Sequence, residues 1–95
     1  VYKQLGTFFF EKEDRDQALY YFDLALENET GDFGLYNQVL QLNMELGDFE
    51  KVNVLSGRAL EVFPSQPLLY LTKGTALNKL SKFEEAETVL IMGQG

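Results

Sequence analysis

Hydrophobic positions recur along this chain at three- and four-residue steps, not in alternation. Leu35, Tyr36, Val39, Leu40, Leu42 and Leu46 form one such stripe and predict a helix. After a break at Gly47 and Asp48, the residues Phe49, Val52, Leu55, Ser56, Ala59, Leu60 and Phe63 resume the period and predict a second. Gly47 suits the left-handed backbone that ends a helix, and Asp48 suits the cap that opens the next. Pro64 stops the second helix, and Pro67 fits the first turn of a third. Leu69, Tyr70, Lys73, Gly74 and Leu77 continue that third helix, and Phe83, Ala86, Val89 and Leu90 predict a fourth. Nearer the start, Asp14 or Asp16 opens a helix, and Asn28 to Asp32 is expected to form its exit loop. Strands are not expected, because period-two alternation and Asn-Gly or Asp-Gly hairpin signals are both missing.

The pattern repeats. Tyr2, Tyr36 and Tyr70 stand 34 residues apart, and the same step links Ala18, Val52 and Ala86, then Ala25, Ala59 and Gly93. Phe49 and Phe83 share that step as well. These coincidences divide the chain at 1–32, 33–66 and 67–95, each part a pair of helices.

The residues at these spacings resemble the tetratricopeptide repeat family along the whole chain. The first repeat carries Tyr2, Leu5, Gly6, Phe9, Ala18, Phe22 and Ala25, with Thr30 where the family pattern closes on proline. The second carries Tyr36, Val39, Leu40, Asn43, Val52, Ser56, Ala59 and Pro64, so its Leu-Gly pair and one aromatic are replaced. Tyr70, Gly74, Leu77, Ala86, Leu90 and Gly93 mark the third. The resemblance implies an all-α fold: an α-solenoid of three helix-turn-helix repeats, about six antiparallel helices in a right-handed superhelix. It also implies a concave face lined by the first helix of each repeat. Gly6 and Gly74 would let a partner helix approach closely, and Ala18, Ala25, Ala59 and Ala86 would offer small surfaces at the crossings. Helices of about a dozen residues are marginal alone, so each pair should depend on stacking against the next.

Composition narrows the function. At 95 residues and 10.9 kDa the chain is expected to form one domain, and its start at Val1-Tyr2-Lys3 suggests a piece of a longer protein. It has no cysteine and no histidine, which argues against thiol and Ser-His-Asp chemistry and most zinc sites, so neither an enzyme nor a cofactor is expected. A net charge of -7 argues against nucleic acid, which is bound by releasing counterions with Lys and Arg. No membrane span is expected either, for want of an apolar stretch near the required length of roughly 20 residues. Charge falls unevenly over the repeats, -5, -2 and 0 in order, so the first part could steer a basic partner segment.

Acidic clusters carry little chemistry. Glu11, Glu13, Asp14 and Asp16 lack the alternating ligands, central glycine and closing glutamate of a calcium loop, with Lys12 and Arg15 interleaved. Glu84, Glu85 and Glu87 point in different directions on a helix and read as a solvated face at its start. Asn28-Glu29-Thr30 matches a glycosylation sequon, a three-residue pattern that chance supplies often.

A binding groove is better supported. In Phe8-Phe9-Phe10 the rings diverge, with Phe9 expected in the core, Phe8 packing towards the second helix and Phe10 near the groove. Register then gives a surface of Lys3, Thr7, Phe10, Asn37, Gln38, Gln41, Met44, Leu71, Thr75 and Asn78, with Gln4 and Thr72 beside it. Amides bond an extended peptide backbone in both directions, and Phe10 and Met44 suit an apolar anchor. Some tetratricopeptide domains clamp chaperone C-terminal carboxylates, but the clamp positions fall here on Lys3, Thr7, Gln38, Leu68 and Thr72. Only Lys3 matches, so a chaperone tail is disfavoured. The expected role is a non-catalytic scaffold for a protein or peptide partner. The alternative is a structural segment of a longer array that makes contacts through its ends. The run Val89-Leu90-Ile91-Met92 covers more than one helix face and is expected to be partly bare, favouring self-association through the last helix.

Overall fold

The computed structural model describes residues 1–28 and 32–94. Among them the chain is all-α, with α1 (Tyr2–Glu11), α2 (Arg15–Asn28), α3 (Phe33–Leu46), α4 (Phe49–Val62), α5 (Pro67–Lys79) and α6 (Phe83–Gln94). Asn28 closes α2. The rest of its expected exit loop, and with it the other two sequon residues, lies outside the described residues up to Asp32.

Three turns share one geometry at one period. The N–H of Asp14 donates to the Phe9 carbonyl (2.9 Å), that of Asp48 to Asn43 (3.0 Å) and that of Lys82 to Leu77 (2.9 Å). One residue earlier in each turn, Glu13, Gly47 and Ser81 donate to Phe10, Met44 and Asn78. Those three residues have φ of 63°, 78° and 62°, the left-handed conformation of a Schellman helix end. The expectation for Gly47 therefore extends to two residues that carry a Cβ. The next helix is capped by Asp14, whose Oδ1 accepts from Gln17 N–H (3.2 Å), and by Asp48, which accepts from Lys51 N–H (3.3 Å). Of the two candidates at the start of α2, the cap is thus Asp14. Pro67 occupies the first turn of α5, and α4 ends at Val62, just ahead of Pro64.

Two compact units make up the chain, Val1–Leu42 and Asn43–Gly95, with the boundary inside α3. In the first, α1 packs on α2. Gly6 permits the approach, since a Cβ there would stand 2.5 Å from the Phe22 ring, and Phe9 stacks on Tyr21 at 5.5 Å. Ala18, Phe22 and Ala25 on α2 and Val39 and Leu40 on α3 are fully buried. In the second unit α5 packs on both α4 and α6. A Cβ on Gly74 would stand 2.6 Å from Leu90, and one on Gly93 2.6 Å from Tyr70. Val52, Ser56, Ala59, Leu69, Ala76 and Ala86 form its core.

Three apolar residues depart from expectation. Phe8 is half exposed and does not pack towards α2. With Gly6 and Phe9 on the face that meets α2, the turn of about 100° per residue carries Phe8 off that face, where it meets Phe9 edge-on and Lys12 over its ring. Leu46 and Phe83 are exposed as well; both are terminal residues of their helices.

Candidate functional site

The three-residue sets Lys3, Thr7, Phe10 on α1, Asn37, Gln41, Met44 on α3, and Leu71, Thr75, Asn78 on α5 each follow i, i+4, i+7 spacing, so each set forms a stripe on its own helix. Every member of these stripes, and Gln38 as well, is exposed or half-buried; none is buried. Thr72, expected beside them, is buried, and its hydroxyl donates to the Leu68 carbonyl (2.9 Å).

Several of these groups already have partners. The Lys3 ammonium pairs with Asp32 at 3.0 Å, both side chains largely exposed. Asp32 also accepts the Leu35 N–H through Oδ1 (2.7 Å). That backbone bond first, then the bond from Lys3, holds the Asp32 carboxyl below its usual range. Thr7 and Thr75 donate their hydroxyls to the carbonyls of Lys3 and Leu71 in the preceding turns (3.0 and 2.8 Å), leaving them as acceptors for anything outside. Asn37 differs: its Oδ1 is enclosed and has no hydrogen-bond partner. An acceptor left in that state costs about 1–3 kcal/mol, which a donor would recover.

In the second unit Leu71 stands at the rim of an apolar recess of about 500 Å³, bounded by Pro67, Leu68 and Tyr70 on α5 and by Leu90, Gly93 and Gln94 on α6. Gly93 opens this space, and the Tyr70 hydroxyl, donating to the Pro64 carbonyl (2.8 Å), fixes the ring at its edge. Leu68 and Leu71 at this recess are exposed, and Ile91 and Met92 on α6 are exposed too, so the expected bare patch on α6 is present.

Sequence reading placed Lys73 on a packing stripe and missed its chemistry. Its ammonium donates to Asn53 Oδ1 (2.7 Å) and to the Asn53 carbonyl (3.1 Å), which ties α5 to α4. Desolvation pushes its pKa below the usual lysine value; Glu85 opposes that shift and Lys82 adds to it. Asn53, Glu84, Glu85 and Thr88 share a shallow pocket of about 440 Å³ with it. The available signal was register: Leu5 and Val39 are apolar where the third repeat has a charge.

Among the described residues no three His, Cys, Asp or Glu side chains gather in a way that would hold a metal, and no helix is long and apolar enough to cross a membrane. No family model matches the chain, and the search of curated proteins finds no relative.

Proposed function

We propose that the chain is an α-solenoid of three tetratricopeptide-like repeats and serves as a non-catalytic scaffold. In this reading an extended segment of a partner protein lies along the first helices of the repeats. The observation that carries the proposal is the accessibility of all three register-matched stripes, beside helix positions that are buried. Their chemistry fits a peptide: amides for its backbone, with Phe10, Met44 and Leu71 for its apolar side chains. Lacking histidine and cysteine, the sequence offers little for nucleophilic or metal-assisted catalysis.

Peptides selected from a displayed random library against the purified chain provide the test. Titration calorimetry should show Asn37→Ala with Gln41→Ala weakening a selected peptide by about tenfold or more. Loss of less than about twofold, or failure to select any peptide, overturns the reading.

A further inference from the structure

Lys73 is half-buried among α4, α5 and α6, wholly within the second unit, and it is held from one side only. Its Nζ donates to Asn53 Oδ1 (2.7 Å) and to the Asn53 carbonyl (3.1 Å), and a Cβ on Gly57, one turn further along α4, would stand 3.4 Å from it. Those bonds use two of the three N–H groups of the ammonium. Among the described residues no other acceptor takes the third. The space left open beside it is the pocket of about 440 Å³, where Leu77 and Val89 supply apolar wall and α6 supplies Glu84, Glu85 and Thr88. Thr88 spends its hydroxyl proton on the Glu84 carbonyl (3.1 Å). A lining of hydrocarbon and carboxylates suits an uncharged molecule with a short apolar tail and repels an anion.

Loss of one proton from a nitrogen placed in this way aims its lone pair. A neutral amine has two N–H groups and one lone pair, so with both N–H groups on Asn53 the lone pair takes the remaining tetrahedral direction, away from α4. Desolvation favours that neutral state; Lys82 adds to the shift, and Glu85 opposes it from α6. The groups facing Lys73 from α4, Asn53 and Gly57, carry no charge. We propose that Lys73 is a reversible covalent capture site for uncharged aliphatic aldehydes. Its nitrogen attacks the carbonyl carbon and the carbonyl oxygen takes up a proton, giving a carbinolamine; the C–O bond then breaks, water leaves and a protonated C=N bond remains. Ammonium and aldehyde thus become iminium and water, with no oxidant or reductant needed. The iminium keeps the positive charge that Glu85 favours, and the tail of the aldehyde lies against Leu77 and Val89. Capture is not turnover, so the chain remains non-catalytic in this reading.

Pentanal with cyanoborohydride tests this, because the hydride traps the iminium as a secondary amine and peptide mass spectrometry then reads the labelling of each lysine. At pH 7 Lys73 should label about fivefold or more faster than Lys3, Lys12, Lys51, Lys79 and Lys82, and denaturant should abolish the preference. Glyoxylate, an aldehyde that carries a carboxylate, should show no such preference. Asn53→Asp keeps an acceptor for Nζ and adds a negative charge, so labelling of Lys73 should fall at pH 7 and recover at higher pH, with helical circular dichroism unchanged. Labelling of Lys73 no faster than that of the other lysines overturns the inference. So does a preference that survives denaturant, which would come from local sequence, or glyoxylate as selective as pentanal, which would remove the assigned class. An unmoved pH profile in Asn53→Asp sinks the role given to Asn53 and the proposal with it. Asn53 and Lys73 lie outside the three stripes, so peptide binding stands or falls separately.

Discussion

The α1–α2 and α5–α6 hairpins solve one packing problem with different tolerance. In each, a glycine on the first helix admits a large side chain from the second: Phe22 over Gly6 and Leu90 over Gly74. The space that a methyl would invade is nearly the same, 2.5 Å against 2.6 Å. What differs is the neighbour. Phe22 is fully buried and its ring is rigid, whereas Leu90 is half-buried beside an open recess and has a flexible end. A close approach is therefore only as strict as the freedom of the side chain across it. At the same register positions in the second repeat stand Leu40 and Ser56, large and small in reverse order and both buried.

The sharpest way to break the comparison is the matched pair Gly6→Ala and Gly74→Ala. Overpacking costs about 1–3 kcal/mol, and replacing a mid-helix glycine returns about 1 kcal/mol. Gly6→Ala, with its rigid neighbour, should thus lose up to about 2 kcal/mol in chemical denaturation, whereas Leu90 swings aside and leaves Gly74→Ala within about 0.5 kcal/mol of the parent. Equal losses would mean that the recess does not relax. Adding Phe22→Leu to Gly6→Ala should recover part of the loss, a coupling that a double-mutant cycle reads directly.

The turns give a smaller contrast. Glu13 and Ser81 hold a conformation that costs a side-chain-bearing residue about 1–2 kcal/mol, and Gly47 holds it freely. Gly47→Ala should then destabilise by about 1 kcal/mol, and Ser81→Gly should stabilise by about 0.5–1 kcal/mol after the glycine's greater unfolded entropy is subtracted. Glu13→Gly is expected to match Ser81→Gly in sign and size. Thermal melts of the three variants decide it, and a destabilised Ser81→Gly would show that the serine contributes something beyond its backbone.

These turns also mark how far the sequence could be read. The helices, the Gly47–Asp48 junction and the Pro64 and Pro67 boundaries were legible because glycine, aspartate and proline each restrict the backbone in a known way. Glutamate and serine do not, so Glu13 and Ser81 could be assigned only by counting from Gly47. The candidate stripes were legible from the same period, because residues three and four apart share a face. The exposure of Phe8, Leu46 and Phe83 was not, because hydrophobic periodicity records which side chains suit a core without recording whether a neighbour covers them. Asn37 was legible as an amide on a face, yet the enclosure of its Oδ1 depends on the packed surroundings.

The smallest effect concerns Lys73, where the third repeat departs from the first two. Its folded pKa lies below the unfolded value of 10.5, so between the two the unfolded chain binds more protons than the folded one. Stability must therefore rise with pH through that window, while below it the desolvation cost is fully present and constant. Lys73→Met removes the titration, and the difference in stability between parent and variant should shift in the parent's favour as pH climbs towards 10.5. Subtraction cancels every group that the two proteins share. The neighbours supply a second check, since Glu85 holds the pKa up and Lys82 pushes it down. By NMR titration of the lysine side chain, Glu85→Gln should lower the value further and Lys82→Gln should raise it. If both variants leave it unmoved, desolvation alone sets the charge of Lys73, and the pocket it shares with Glu84 and Glu85 has no electrostatic role.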